Sequence, residues 1–376
     1  MIDKTVLGDY VTFQYGKLPP KETHPDAIYP IFTGYRVSGY SKTYLFEESE
    51  VIVVARGVGG TGDVKLSPPL AYITNLSIVL QPIQPINKRF LRDYLSLANL
   101  RQLDSGAAQS MITIESLRRF PVVLPSLDIQ DRIAEIIARY DDLIETNRRR
   151  IALLEESARL LYREWFVHLR FPGHAAARTE SATPADWKMG AIGDLALFLN
   201  RGITPTYDEA ASGLVINQKC IRGGRINLTP ARRQSKAVKP ERQIQVGDVL
   251  INSTGAGTLG RVAQVRTSIP NCTVDTHVTI VRPSDSKSAA FLGVALLELE
   301  SVLSTMGIGS TNQLELGRAD IAALSIFMPP LAMREEFHEL VWPLFMQAET
   351  LAQTNERLTE ARDALSPKLL SGEIQV

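Results

Sequence analysis

Apolar residues recur at alternating steps of four and three along two long stretches of this chain. The first places Ile129, Ile133, Ile136, Tyr140 and Leu143 on one stripe; Asn147 takes the next position, and Leu154, Leu161 and Trp165 resume it. The second shows Met333, Phe337, Leu340 and Leu344, then Leu351, Asn355, Leu358, Leu365 and Leu369, with Pro343 expected to kink it and shift the seam. This period predicts two amphipathic helices. About forty residues at 1.5 Å each make a rod of roughly 60 Å. An apolar stripe of that length needs a partner: the two helices supply one another as a coiled coil, or each packs on its own domain. Asn147 and Asn355 hold corresponding places, either as a buried pair that fixes register or on an exposed polar face. Before each helix the pattern changes to short β-branched runs at 51–55, 77–80, 249–252 and 278–281, bounded by Gly, Pro and Asn turns. Helical stretches are expected near 90–103 and 289–303. Strands and helices in that order give an α+β class.

The second half repeats the first. Leu7-Gly8-Asp9 and Phe13 correspond to Ile192-Gly193-Asp194 and Phe198, and the segment from Gly16 to Pro19 to that from Gly202 to Pro205. Val51-Ile52-Val53-Val54-Ala55-Arg56-Gly57 aligns with Val249-Leu250-Ile251-Asn252-Ser253-Thr254-Gly255, and Gly59, Gly62 and Val64 with Gly257, Gly260 and Val262. Pro82 then pairs with Pro283, Phe90-Leu91 with Phe291-Leu292, Gln109 with Gln313, and Leu124-Pro125 with Met328-Pro329. The preserved order predicts a duplication, with domains at 1–125 and 188–330 and spacer helices at 126–170 and 331–376. A linker rich in Ala, Pro, Gly, Ser and Thr covers 171–187.

Composition narrows the function class. The chain has 376 residues, 44% hydrophobic and 22% charged, enough to bury real cores. Its two cysteines, Cys220 and Cys272, cannot make a disulfide framework, and His24, His168, His174, His277 and His338 form no ligand pair, so no metal site is expected. Neither a membrane span nor a signal peptide is read, which makes the cytoplasm the expected location. Charges balance at 41 cations and 41 anions, which argues against a nucleic-acid binder only if charge is evenly spread. It is not. Residues 217–242 carry Lys219, Arg222, Arg225, Arg232, Arg233, Lys236, Lys239 and Arg242 against Glu241 alone, while 331–376 hold four basic and eight acidic residues.

Catalytic signatures are lacking. Gly57-Val58-Gly59-Gly60-Thr61-Gly62 and Gly255-Ala256-Gly257-Thr258-Leu259-Gly260 satisfy G-x-G-x-x-G, but the second runs into Arg261-Val262-Ala263-Gln264-Val265, an alternating strand pattern. Loops between strands are therefore expected, not dinucleotide sites, although such loops bring backbone amides close to phosphate. Ser67-Pro68-Pro69-Leu70 lacks the aromatic that an amino-methyltransferase stacks on its flipped base. Pro25-Asp26 and Asp63-Val64-Lys65 only caricature a nuclease motif, and no catalytic residue is assigned. Local positive charge suits phosphate, by counterion release, or is a solvated basic loop. The candidates for DNA contact are Tyr35, Arg36 and Arg56 in the first domain. In the second they are Gln218, Lys219, Arg222, Arg225, Arg232, Arg233, Ser253 and Thr254. Tyr35, Tyr40, Tyr44 and Tyr207 are alternatively core residues.

Taken in order, several motifs resemble the specificity subunit of type I restriction–modification systems across nearly the whole chain. They are Ile192-Gly193-Asp194 with Gly202-Ile203-Thr204-Pro205, Gly247-Asp248-Val249-Leu250-Ile251, Leu124-Pro125-Ser126-Leu127 with Gln130 and Ile133, Leu161-Tyr162-Arg163-Glu164-Trp165-Phe166, and the ending Lys368-Leu369-Leu370-Ser371-Gly372-Glu373-Ile374. Gly16-Lys17-Leu18-Pro19 and Arg334, where the family usually places Gln, depart from the pattern. The resemblance implies two target recognition domains, each reading half of a bipartite double-stranded DNA target. Two long antiparallel helices form a coiled-coil spacer in a pseudo-twofold repeat and dock two modification subunits. Those partners would hold S-adenosylmethionine and methylate adenine at N6, and a restriction subunit using ATP and Mg would be a further partner. This chain would carry no cofactor and no chemistry of its own. The competing readings are a self-sufficient DNA methyltransferase or nuclease, and a coiled-coil scaffold without DNA contact.

Overall fold

The structure, a computed structural model, describes residues 5–20, 26–57, 59–104, 110–173, 184, 186–309 and 314–376. Gln109, Gln313 and most of the expected linker (174–183 and 185) lie outside the described residues. The chain divides into two compact units, residues 1–145 with 356–376 and residues 146–355. Each unit holds one globular part and a portion of both long helices, so the division runs through the helices rather than around them.

In the first unit the strands are β1 (Thr5–Val6), β2 (Val11–Tyr15), β3 (Tyr29–Phe32), β4 (Val37–Ser41), β5 (Val51–Val54), β6 (Val64–Leu66), β7 (Tyr72–Ile73) and β8 (Ser77–Pro82). Helix α1 (Lys88–Leu97), helix α2 (Ile114–Arg118), strand β9 (Pro121–Val122) and helix α3 (Leu127–Tyr162) follow. Strands pair in the order β2-β8-β5-β6 in one sheet and β4-β3-β7 in a second, with β1 on β9. Every residue of β5 is fully buried because both faces of its sheet are covered. Val51 and Val53 point to a core shared with Leu91 and Leu95 of α1, while Ile52 faces Phe32 and Ile73 of the smaller sheet. The expected helix 90–103 is broken at Asn99, whose left-handed backbone (φ 47°) separates α1 from a short 3₁₀ turn.

The second unit rebuilds the same plan. It contains β10 (Lys188–Ala191), β11 (Ala196–Arg201), β12 (Gly213–Ile216), β13 (Ile221–Arg222), β14 (Arg225–Ile226), β15 (Arg232–Gln234), β16 (Val249–Asn252), β17 (Val262–Gln264), β18 (Cys272–Val274) and β19 (Val278–Pro283). Helices α4 (Ala289–Glu298), α5 (Glu300–Thr305) and α6 (Arg318–Ala322), strand β20 (Ser325–Met328) and helix α7 (Leu331–Leu370) complete it. The sheets run β11-β19-β16-β17 and β15-β12-β18, and β10 pairs with β20. Pairing sense is also repeated: β3–β7 and β12–β18 are both parallel pairs inside otherwise antiparallel sheets. The repeated residues have packing reasons. Asp9 and Asp194 each accept a hydrogen bond from the backbone N–H three residues earlier, at 2.9 Å, closing a 3₁₀ turn whose Leu7 or Ile192 is buried. A Cβ on Gly16 would stand 2.3 Å from the Thr74 carbonyl oxygen, and one on Gly202 only 1.8 Å from that of Val274. One difference stands out. β3 reaches β4 through a tight turn, whereas β12 and β15 are separated by an insertion that includes the β13–β14 hairpin.

The helical segments pair antiparallel within each unit. In the first, Ile133, Ala134 and Ile137 pack with Leu369 and Leu370, and Asp141 accepts from Arg362 at 2.6 Å. In the second, Asn147 donates to Asn355 at 2.9 Å, and Tyr162 meets Phe337 edge-on. Asn147 is buried, which decides between the two expected places for that pair in favour of the seam. Ile133, Phe337 and Asn147 occupy the seam as expected, with Tyr140, Leu351, Asn355 and Leu358 half-buried along it. Ile136 is half-buried against the same cluster, beside the more deeply buried Ile137. Two expected seam residues are corrected by one position: Ile144 (4% exposed) replaces Leu143 (46%), and Val341 (0%) replaces Leu340 (49%). The buried row Phe337, Val341, Phe345, Ala348 follows steps of four, four and three, which carry it past Pro343 on the exposed side. Helix α7 runs on unbroken through that proline.

The seam assignment predicts unequal costs for two neighbouring truncations. Phe337→Ala should lower the unfolding free energy by about 3–5 kcal/mol, whereas Leu340→Ala should cost less than about 0.5 kcal/mol. Urea denaturation of the full chain would measure both, and equal losses would contradict the assignment.

Candidate nucleic-acid interface

The candidate residues gather at one end of each unit's strands, where two loops meet. In the first unit these are the β3–β4 turn and the glycine-rich loop between β5 and β6. Both G-x-G-x-x-G segments join antiparallel strands, so neither opens a helix of the dinucleotide-binding kind. Gly57, Gly59 and Gly62 adopt left-handed φ values, as do Gly255, Gly257 and Gly260 in the second unit, a conformation that side chains rarely tolerate. The Tyr35 hydroxyl donates to the Arg56 carbonyl at 3.1 Å, and the side chain lies so close to the loop that a Cβ on Gly57 would come within 2.2 Å of its hydroxyl oxygen and one on Gly60 within 2.2 Å of its ring. Burial and the neighbouring Asp63 carboxylate push the Tyr35 hydroxyl above its ordinary pKa. Arg36 and Arg56 are exposed beside it, and the Arg56 guanidinium lies 5.6 Å from the Tyr15 ring centre. The structure therefore brings Tyr35, Arg36 and Arg56 together.

The second unit makes the equivalent contact with different residues. Gln218 follows β12 as Tyr35 follows β3, and a Cβ on Gly255 would stand 2.5 Å from its side-chain oxygen. Buried Asn252, at the end of β16, donates to the Gln218 carbonyl at 2.9 Å and so fixes that segment's backbone. Thr254 joins Gln218 to His277, its hydroxyl lying 2.7 Å from the imidazole Nδ1. His277 is exposed at this surface and was not among the expected contacts; Leu76 stands at its place in the first unit, so the repeat carries no signal for it. Gly59 and Gly257 at the loop tips have open space where a Cβ would be, and each tip carbonyl accepts from an arginine, Arg101 or Arg261.

Two candidates are corrected. Ser253 is fully buried and hydrogen-bonded to Thr279, because it continues the inward alternation of β16, and so it is not part of the exposed surface. Arg225 points at helix carboxylates, donating to Glu155 and Glu349 at 2.9 Å each, and its charge is neutralised within the protein. The rest of the basic stretch divides by environment. Lys219, Arg222 and Lys239 are exposed and make no ion pair or side-chain hydrogen bond among the described residues. Arg232 stacks 3.5 Å over the Tyr207 ring, and Arg233 donates to the Ala211 carbonyl at 2.9 Å, both remaining exposed. Lys236 and Arg242 donate to backbone carbonyls. Tyr35, Tyr40, Tyr44 and Tyr207 are surface residues and not core.

Behind this surface the charges are structural. Asp248 is fully buried and receives both Nε and Nη2 of Arg282 at 2.8 Å; burial nevertheless raises its carboxyl pKa, against the pull of Arg282. Arg282 also donates to the carbonyls of Glu241 and Gln243, holding the end of the basic stretch on the sheet. Cys220 and Cys272 are buried free thiols, and burial pushes Cys272 up to about 12. Among the described residues no group of three His, Cys, Asp or Glu side chains is placed to hold a metal, and no helix is long and apolar enough to cross a membrane.

Residues 3–156 match the family model described as the type I restriction modification DNA specificity domain. The chain is 23% identical to the MjaIX type I restriction enzyme specificity subunit of Methanocaldococcus jannaschii, over 74% of this chain and 66% of that protein. It is 25% identical to the HindI type I restriction enzyme specificity subunit of Haemophilus influenzae, over 70% and 71% respectively. The chain thus spans about two thirds of the length of these curated relatives. Its fold is similar to the crystal structure of a type I restriction-modification system S subunit from M. genitalium, with a TM-score of 0.68 at 18% identity, covering 97% of this chain and 95% of that one.

Proposed function

We propose that this chain, whose residues 3–156 match the type I restriction modification DNA specificity domain, is the DNA-reading specificity subunit of a type I restriction–modification complex, each unit reading one half of a split, asymmetric target. The observation that carries the reading is the repeated meeting of two loops. In both units the segment after the central strand of the smaller sheet packs on the first glycine of the loop after a fully buried strand. The scaffold is shared, but the side chains it presents differ: Tyr35, Arg36 and Arg56 in one unit, and Gln218, Thr254 and His277 in the other. Two related surfaces with unlike donors and acceptors suit two unlike half-sites, since base edges are told apart by their donor and acceptor pattern. Lys219, Arg222 and Lys239 add charge for phosphate contacts, which position a protein on DNA without reading its sequence.

Methylation belongs to partners in this proposal. Two modification subunits dock on α3 and α7, hold S-adenosylmethionine and methylate adenine at N6; a restriction subunit using ATP and Mg joins where cleavage occurs. The residues of this chain bind and orient DNA. Its glycine-rich loops lead into β6 and β17, so they offer no helix N-terminus to a nucleotide cofactor. The helices act as the spacer that fixes the number of unread base pairs between the halves.

Co-expression with the cognate modification subunit, followed by genome-wide mapping of N6-methyladenine, should return one asymmetric motif in two halves; methylation without such a motif would refute the proposal. The purified chain alone should neither bind labelled S-adenosylmethionine nor cut DNA. Replacing Lys219 and Arg222 together by Ala should reduce the slope of log affinity against log salt by about 2, near 0.9 for each phosphate no longer neutralised. An unchanged slope would place the DNA elsewhere. Inserting four residues in each helix, about one turn, should lengthen the gap in the methylated motif, and an unaltered gap would end the spacer argument.

A further inference from the structure

Two arginines of the second unit converge on the same two helix carboxylates. Arg225, on β14, donates through Nη1 to Glu155 of α3 and through Nη2 to Glu349 of α7, at 2.9 Å each. Arg266, just past β17, places its Nη1 2.6 Å from Glu155 and 3.5 Å from Glu349. Its side chain is 3% exposed, and its guanidinium lies 4.0 Å from the centre of the Phe345 ring. Two positive and two negative groups meet there, Arg266 enclosed and Arg225, Glu155 and Glu349 only partly exposed. Taking away one member strands an uncompensated charge there, whereas an exposed pair can be removed at little cost.

The place of this cluster in the chain suggests what it is for. Arg225 faces Arg222 in the pair that closes the β13–β14 hairpin, and the two-residue turn consists of Gly223 and Gly224, both left-handed. Such a turn has no slack. The other end of the same segment is held by Asn252, which donates to the Gln218 carbonyl, and by Asn217, whose side chain caps the 3₁₀ turn at Lys219. Gln218, Lys219 and Arg222 therefore lie between two fixed points. The first unit has a short turn at this position and no hairpin, so the brace is peculiar to the second unit.

We propose that Arg225 and Arg266 are positioning residues for DNA recognition by the second unit, fixing the β13–β14 hairpin on Glu155 and Glu349 so that Gln218, Lys219 and Arg222 are held in place before DNA arrives. The inference rests on the DNA-reading function above and adds the means by which one of its two surfaces is ordered. A tethered segment meets its target with less ordering entropy to lose, and wrong bases gain little from a segment that cannot adjust to them.

The test uses the full chain assembled with its modification subunits, comparing wild type with Arg225→Gln and, separately, Glu349→Gln. Methylation is scored on DNA sites altered singly in either half, alongside hydrogen exchange at 217–226. Discrimination should fall about tenfold in one half, the order of one base-pair mismatch, and remain as in wild type in the other, with faster exchange in the hairpin. Unchanged discrimination in both halves, or an equal loss in both, would overturn the inference, because general destabilisation does not choose a half-site. Glu349→Gln removes a single charge from a partly exposed position and decides the matter if Arg225→Gln fails to accumulate. If wild type itself shows no two-part motif, the DNA-reading premise fails, and this inference falls with it.

Discussion

Strands β5 and β16 are buried on both faces, and that constraint governs the two units. Successive residues of each strand point alternately to a helix-lined core and to the smaller sheet. A shift of one residue would exchange the two sets, moving side chains sized for one layer into the other. Register is therefore fixed, and with it the points where β5 and β16 deliver the chain into their glycine-rich loops. Asn252, the last residue of β16, shows the economy of this arrangement: its buried amide ties the next loop segment to the strand end. Surface loops that would otherwise wander inherit their position from a core that cannot slide.

The duplication was legible in the sequence because its shared residues answer to close packing. Gly16 and Gly202 lie against a carbonyl oxygen, and Asp9 and Asp194 close the same turn, so few substitutions are tolerated there. The helical seam was legible in kind but displaced by one position at two places. Leu143 and Ile144, and Leu340 and Val341, are adjacent apolar pairs, and periodicity alone cannot choose between neighbours of equal hydrophobicity. Contacts with Leu369, Phe345 and the sheet-backing helices make that choice. The interface was harder. Arg222 and Arg225 are the same residue type three positions apart, yet one faces solvent and the other faces two carboxylates. Composition distinguishes them in no way, and Ser253 beside Thr254 poses the same problem.

The balanced total charge takes on a structural meaning. Cations gathered at 217–242 do not all face outward: Arg225 is engaged by the helices, while Arg242 and Lys236 hold backbone carbonyls. The acidic excess of α7 is likewise partly internal, since Glu349 answers both Arg225 and Arg266. What remains for a polyanion is a smaller, more localised positive surface than the count implies. In the proposed DNA-reading role, binding through a few exposed cations leaves room for sequence to matter, because phosphate contacts alone bind every sequence alike.

The insertion between β12 and β15 bears on how such a protein changes over generations. The two strands pair in the second unit as β3 and β4 do in the first, although far more chain separates them. Closing a longer loop costs little, growing only with the logarithm of its length. New chain can therefore enter at that junction without disturbing the sheet beneath it. That one segment can lengthen, shorten or be exchanged while the folding instructions of the sheet stay intact.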